Sequence, residues 1–181
     1  MHLNGIQWYK EPMERVAGLL NDMVASGVIT NYAVFDAVAQ MRYTEAVVTL
    51  DADILVALPD PSSLNLLAPI YSFCKERGYS PEGEAIRVGD WPVQFIPAFD
   101  SITEEALETA EIADLNGVPF RVVRADYLAV IALSVGRSKD FARILALLES
   151  GSIDDEMISH LAEKHGIHGK WRAFKRNFYE T

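Results

Sequence analysis

The sequence predicts an α+β fold in which a mixed β-sheet is flanked by helices and extended by further helices at the C-terminus. Three observations predict this class. Residues 47–60 are rich in valine, leucine and isoleucine and end at a proline-rich turn, as a strand does. Residues 85–96 show a strand, a Gly-Asp turn and a second strand. From residue 124 onward, apolar residues recur at helical spacing.

The chain is long enough for one well-filled core but short for two independent domains. It has 181 residues, half of them hydrophobic and 23% charged, which is typical of a globular protein. We expect a single folding unit with an α/β core over residues 1–123 and a helical extension over residues 124–181. No apolar run approaches a membrane-spanning length, and residues 1–12 lack the features of a signal peptide. These features favour the cytoplasm and exclude a membrane partner.

The first half of the chain alternates helices and strands. Residues 13–26 have an amphipathic pattern that ends at Gly27, and residues 31–35 predict a short strand. A short helix follows over residues 37–42, and then comes the strand that carries Asp51 and Asp53. Residues 63–77 predict another helix, which ends in basic residues and Gly78. The order is therefore helix, strand, helix, strand, helix.

The second half begins with a hairpin and ends in helices. Residues 85–88 and 92–96 are the predicted hairpin strands. Thr103 is predicted as the N-cap of a helix over residues 103–114, and Asn116-Gly117 turns into a strand over residues 118–123. Four more helices are predicted, over residues 126–135, 139–148, 153–165 and 170–179.

Charge is distributed unevenly along the chain. The net charge is −10, which argues against non-specific binding to nucleic acid, so we expect no DNA partner. Residues 1–118 contain 18 acidic and 6 basic residues, whereas residues 119–181 contain 8 acidic and 10 basic residues. The C-terminal part could therefore face an anion, although solvated helix faces would give the same pattern.

Several side chains that could take part in chemistry or binding also have a purely structural interpretation. Cys74 is the only cysteine, so the chain can form no internal disulfide, and we expect a buried thiol. The histidines near the C-terminus, at 160, 165 and 168, would need a further ligand to bind a metal. Basic and aromatic residues alternate over residues 170–178. This pattern favours an amphipathic helix with a docked aromatic face, with RNA binding as the alternative.

The acidic pair on the predicted strand is the main candidate for chemistry. Side chains alternate between the faces of a strand, so Thr49, Asp51 and Asp53 are expected on one face, opposite an apolar face that includes Val48 and Leu50. Two carboxylates at this spacing can converge on one divalent cation, and Mg²⁺ commonly binds one or two carboxylates together with substrate phosphates. A solvated edge strand remains the alternative.

Residues 31–58 resemble the core of the nucleotidyltransferase-like, polymerase-β-type superfamily, and in particular small bacterial proteins related to AbiEii-type toxins. The residues that carry the resemblance are Thr49-Leu50-Asp51-Ala52-Asp53, which match the pattern T-x-D-x-D. Gly136-Arg137-Ser138-Lys139-Asp140 is similar to the R-x-K-D element that opens a later helix in that group. The resemblance covers about residues 30–150.

The resemblance implies both the site and the reaction. Asp51 and Asp53 would be the catalytic and metal-binding residues, with Mg²⁺ as the cofactor. Lys139, together with Arg137, would contact the phosphates of an NTP substrate, and Thr49 would lie beside them. The implied activity is transfer of a nucleotidyl group from an NTP to a protein or RNA hydroxyl, and the resemblance also implies a toxin-like role with an antitoxin partner.

Two positions depart from the family pattern. Phe35-Asp36 stands where the family has a glycine pair that lets the backbone approach a triphosphate. A structural explanation is that Phe35 is core and Asp36 caps the short helix. Gln94 stands on the later strand where a third acid is expected, and an amide cannot act as a base. These departures favour an alternative function, namely a catalytically degenerate module that binds a nucleotide or a protein.

Overall fold

The computed structural model describes residues 7–45, 47 and 49–179, with side chains from residue 12 to residue 178. Its strands are β1 (Asn31–Phe35), β2 (Ala52–Ala57), β3 (Ser80–Glu82), β4 (Ala85–Val88), β5 (Trp91–Pro97), β6 (Glu111–Leu115) and β7 (Val118–Val122). Its helices are α1 (Gln7–Ala25), α2 (Asp36–Gln40), α3 (Ala68–Glu76), α4 (Ser101–Glu108), α5 (Ala125–Val135), α6 (Ser138–Glu149), α7 (Asp155–Lys164) and α8 (His168–Phe174). A π-helical turn, Lys175–Tyr179, follows α8.

The strands form a mixed sheet in the order β3-β4-β5-β2-β1-β7-β6. β2 runs antiparallel to β1 and parallel to β5, and β1 runs parallel to β7. Asp53 therefore lies opposite Phe35 on one side and beside Gln94 on the other. The end of β1 and the beginnings of β2 and β5 meet at the same edge of the sheet.

The core lies on both faces of this sheet. Ile54, Leu55 and Val56 of β2 are all at most 1% exposed, although consecutive strand residues point to opposite faces. The sequence predicted an apolar face and an acidic face for this strand, but Leu55 is buried on the face that Asp53 shares. α5 is almost wholly buried from Ala125 to Leu133, as expected for a helix that is apolar on all sides. No helix in the described ranges is long and apolar enough to cross a membrane.

Several predicted elements were wrong in their extent; the helix predicted over residues 63–77, for example, covers only Ala68–Glu76. β2 begins at Ala52, so Asp51 precedes the strand and Leu50 is 84% exposed instead of packing in the core. Val48, placed on the same apolar face, lies outside the described residues. The predicted helix over residues 103–114 ends at Glu108, and β6 follows it. Thr103 is the third residue of α4, whose N-cap is Asp100.

The β4–β5 hairpin, the Asn116-Gly117 turn and the C-terminal helices agree with the sequence predictions. Gly89 has a φ of +63° in the turn between β4 and β5, and Asn116-Gly117 turns from β6 into β7 with φ values of +54° and +86°. In α8, Trp171 stacks on Phe174 with ring centroids 5.3 Å apart, and its Nε1 donates to Ser159 at 3.0 Å. The aromatic face of the last helix is docked, as predicted.

Candidate functional site

A cavity of about 730 Å³ opens at the sheet edge where β1 ends and β2 and β5 begin. The amino-terminal part of α6 forms its opposite wall. The residues that line it are Phe35, Asp36, Ala37, Gln40, Val47, Thr49, Asp51, Asp53, Gln94, Ile96, Arg137, Lys139, Ala142 and Arg143. The five residues predicted from the sequence as site residues thus line a single cavity, although two separate parts of the chain supply them.

The acidic pair lies at the start of β2. Asp53 is the second residue of the strand, and Asp51 immediately precedes it. The Thr49 hydroxyl lies 3.0 Å from the main-chain oxygen of Asp51 and 3.2 Å from its Oδ1, so it can donate to either. Thr49 thereby holds Asp51 at the mouth of the cavity. The three side chains share the cavity although only Asp53 belongs to the strand.

Asp53 is the most perturbed carboxyl of the cavity. Burial raises the pKa of Asp53 to about 6, and the negative charges of Asp36 and Asp51 add to the effect. The positive charges of Lys139 and Arg143 act in the opposite direction but do not cancel it. The site therefore accumulates negative charge that a bound cation would relieve.

Replacing Asp53 with asparagine should stabilise the metal-free protein at neutral pH. The ordinary pKa is 3.8, so between about pH 4 and pH 6 the folded protein keeps a proton on Asp53 that the unfolded chain has lost. The free energy of unfolding therefore falls as pH rises through this window. Above about pH 6 the folded protein bears the full cost of an ionised Asp53. Because solvent screens part of this interaction, we expect Asp53→Asn to gain on the order of 1–2 kcal/mol at pH 7.5.

Urea unfolding in the presence of EDTA at pH 7.5 and pH 4 would measure this gain, which should disappear at the lower pH. Asp90→Asn is the matched control, because Asp90 is an exposed acid in the β4–β5 turn. A gain for Asp53→Asn that is the same at both pH values would contradict the proposed pKa.

The two predicted phosphate contacts differ in their surroundings. Arg137 forms a bidentate pair with Asp140, in which Nε donates to Oδ2 at 2.7 Å and Nη2 donates to Oδ1 at 3.1 Å. Burial alone would raise the pKa of Asp140, but these hydrogen bonds and the charges of Arg137 and Arg143 hold it below its ordinary value. Lys139 is exposed and makes no hydrogen bond or ion pair with another residue of the described ranges. Lys139 is thus the more available cation.

The sequence analysis missed Arg143. Its side chain is only 7% exposed, pairs with Asp36 through Nη1, and donates from Nε to Gln40 Oε1 at 3.0 Å. Asp140, Arg143, Ile144 and Leu147 are the buried residues of α6. These residues follow one another at intervals of three, one and three positions, which is the spacing of the buried face of a helix. An arginine at such a position is the sequence signal that could have identified Arg143 as a buried, paired charge.

Asp36 departs from its expected role. It does not cap α2 but is its first residue, while Phe35 occupies the N-cap position and is buried in the core, as predicted. Asp36 has a φ of +52°, in the left-handed region that favours glycine. Asp36 thus adopts a backbone conformation that glycine adopts readily, and its carboxylate lines the cavity.

The acids of the cavity are the candidate metal ligands. Among the residues that the structure describes, no group of three or more histidine, cysteine, aspartate or glutamate side chains could hold a metal ion. Two hard oxygen donors, at Asp51 and Asp53, nevertheless fit Mg²⁺, which commonly takes only one or two carboxylates and completes its shell with water and phosphate. The raised pKa of Asp53 agrees with this donor set.

The C-terminal histidines form no such site. His165 lies between α7 and α4, with Nδ1 3.2 Å from the Ser101 hydroxyl and Nε2 2.8 Å from Glu105 Oε2. Glu105 also pairs with Lys164. These contacts join two helices through a nearly buried imidazole, and none of these residues lines the cavity.

Two solved structures share this fold. The antibiotic-resistance factor ANT(2'')-Ia matches with a TM-score of 0.53 at 11% identity, over 95% of this chain and 100% of that one. An antigenic nucleotidyltransferase-like protein from Paracoccidioides brasiliensis matches with a TM-score of 0.53 at 13% identity, over 91% of this chain and 93% of that one. No protein-family model and no curated protein sequence matches the chain. The likeness confirms the predicted mixed sheet with flanking helices as a nucleotidyltransferase fold.

Proposed function

We propose that this nucleotidyltransferase-fold protein transfers a nucleotidyl group from an NTP to a hydroxyl group, in a reaction that depends on Mg²⁺. The observation that carries the proposal is that Asp51, Asp53 and Lys139 of α6 line the same cavity, with the charge of Lys139 acting on Asp53. Two carboxylates supply oxygen donors for a cation, and an exposed lysine supplies a contact for phosphate. This combination suits a metal-bound polyphosphate better than it suits either ion alone.

Each polar residue of the cavity has a separate role in the proposal. Asp51 and Asp53 would hold Mg²⁺, which when bound neutralises charge on the phosphates and on the departing pyrophosphate. Thr49 fixes the orientation of Asp51 through its hydroxyl. Lys139 binds a phosphate oxygen and orients the α-phosphorus toward the acceptor.

The reaction joins the acceptor oxygen to the α-phosphorus and breaks the bond from that phosphorus to the oxygen of the departing pyrophosphate. Gln94 lies beside Asp53 on β5, but a neutral amide does not take up the proton of the acceptor hydroxyl. The proton therefore passes to water or to a carboxylate of the cavity. We expect slower transfer than in a site where a third acid serves as the base.

The acceptor and the biological setting are also proposals. The resemblance of residues 49–53 and 136–140 to AbiEii-type toxins supports a protein or RNA acceptor and a toxin-like role with an antitoxin partner. Expression of the chain with and without its neighbouring genes would test this role. Growth arrest that depends on Asp51 and Asp53 and is relieved by a neighbouring gene is the expected result.

Radiolabelled NTPs provide the direct test of the reaction. Each NTP would be incubated with the protein, Mg²⁺ and either total RNA or a protein extract, with EDTA as the matched control. We expect label on an acceptor with Mg²⁺ and none with EDTA. Calorimetry with the same NTPs would show whether binding also needs Mg²⁺. Absence of both Mg²⁺-dependent binding and labelling would refute the proposal, whereas binding without transfer would favour the degenerate binding module.

A further inference from the structure

The ion pair between Asp36 and Arg143 lies in the wall of the candidate cavity. We propose that Asp36 is a specificity-determining residue: its carboxylate occupies Arg143 and competes with ligand phosphates for that guanidinium, so the site binds metal-free polyphosphate weakly. The identity of the ligand as a nucleotide rests on the proposed function. The competition itself concerns any polyphosphate anion that enters the cavity.

The backbone of Asp36 shows that this placement is costly. A non-glycine residue at a φ of +52° is less stable than glycine, and such residues persist where other contacts hold them. The contact here is the ion pair to Arg143, whose guanidinium is fixed in turn by Gln40. The register of β1 against β2 places Asp36 one residue beyond the pair Phe35 and Asp53, at the cavity itself.

The charges of the cavity leave a ligand few free partners. Arg137 is held in a fork by Asp140, and Arg143 is paired with Asp36. Lys139 makes no hydrogen bond or ion pair within the described residues and is open to a phosphate that enters the cavity, whereas at Arg143 Nη1 the phosphate must compete with the carboxylates of Asp36 and, at 3.9 Å, Asp140. Asp36 also brings its own negative charge close to that phosphate, which opposes the binding of an anion that carries no cation.

The alternative is that Asp36 serves only to neutralise a buried arginine. In that case removing its charge would destabilise the protein without improving the binding of anions. The two possibilities therefore differ for the same variant, since competition predicts tighter anion binding and simple neutralisation predicts no gain. Asp36→Asn is the sharpest variant, because asparagine has nearly the same shape and tolerates the left-handed backbone conformation.

Inorganic tripolyphosphate, with EDTA present, is the probe for a calorimetric test. We expect Asp36→Asn to bind it at least about tenfold more tightly than the wild type, which corresponds to one unfavourable charge contact removed from a partly buried site. The matched control is Glu149→Gln, which makes the same change in net charge at an exposed position on α6. This control should change the affinity less than twofold.

Unchanged or weaker binding by Asp36→Asn would overturn the proposal, as would the absence of measurable binding by every variant. Asp36→Gly gives a second measurement if the asparagine variant does not fold, because glycine relieves the backbone conformation. The glycine variant should also bind tripolyphosphate more tightly than the wild type. Since this test uses no nucleotide, metal or transfer reaction, its failure is distinct from failure of the proposed nucleotidyl transfer.

Discussion

Replacing Asp51 and Asp53 together with asparagine should reduce Mg²⁺-dependent nucleotidyl transfer at least about a thousand-fold, which corresponds to roughly 4 kcal/mol of transition-state stabilisation. The amides keep the size of the side chains but remove both negative charges that would hold the cation. Only Asp53 lies within the sheet, and its removal relieves repulsion, so the variant should fold. The loss of activity is therefore expected without loss of structure.

The rate of label transfer from each NTP, at saturating Mg²⁺, would measure the effect. A matched control is the double variant Glu76→Gln and Asp90→Asn, which removes two exposed acids outside the cavity and should retain wild-type transfer. Circular dichroism would establish that both double variants are folded. Transfer that persists at the wild-type rate after loss of Asp51 and Asp53 would exclude these residues from the reaction.

Replacing Arg143 with methionine should destabilise the protein by about 3–5 kcal/mol. Methionine preserves most of the volume but leaves the partly buried carboxylate of Asp36 without its partner, and it removes the donor to Gln40. A buried charge that loses its counterion costs far more than an exposed one. The free energy of unfolding in urea at pH 7 would measure the loss.

Arg42→Met provides the comparison, because Arg42 pairs with Glu111 at the surface, where the two side chains are 40% and 49% exposed. We expect that change to cost less than about 1 kcal/mol. Combining Arg143→Met with Asp36→Asn should recover part of the stability, because the orphaned charge is then removed as well. An Arg143→Met variant that is no less stable than Arg42→Met would mean that the pair contributes little.

The sequence identified the features that depend on local pattern. β1 was predicted with its observed ends, and the hairpin of β4 and β5 followed from the turn at Gly89. Thr49, Asp51 and Asp53 were predicted from their spacing, whereas Arg137 and Lys139 were implied by the family resemblance, and all five residues line one cavity. These features can be predicted from the sequence because each depends on residues that lie close together along the chain.

β6 shows where local pattern failed. Its residues, Glu111–Leu115, include acids and an alanine that suit a helix, and the sequence analysis extended the preceding helix through them. Pairing with β7 across the Asn116-Gly117 turn outweighs that preference. The Asn-Gly pair was itself a hairpin signal, but it was assigned only to the strand that follows it.

The buried network around Arg143 shows a second kind of limit. Gln40 and Arg143 are 103 residues apart along the chain, and no short-range pattern specifies that they meet. The left-handed conformation of Asp36 was also invisible, since aspartate at a helix start ordinarily suggests a cap. The sequence shows that Asp36 stands where the family pattern has a glycine. Its ion pair with Arg143 depends on the tertiary fold and could not be predicted from the sequence.

β1 pairs in parallel with β7 at Val34 and Val122, so the β6–β7 hairpin can join the rest of the sheet only after residue 122 has been synthesised. Contacts between such distant segments slow folding, because a long loop must be ordered before they form. Arg143, which neutralises Asp36, is synthesised later still. The cavity is therefore completed late in biosynthesis, and a nascent chain that ends before α6 carries its acids without their cationic partners.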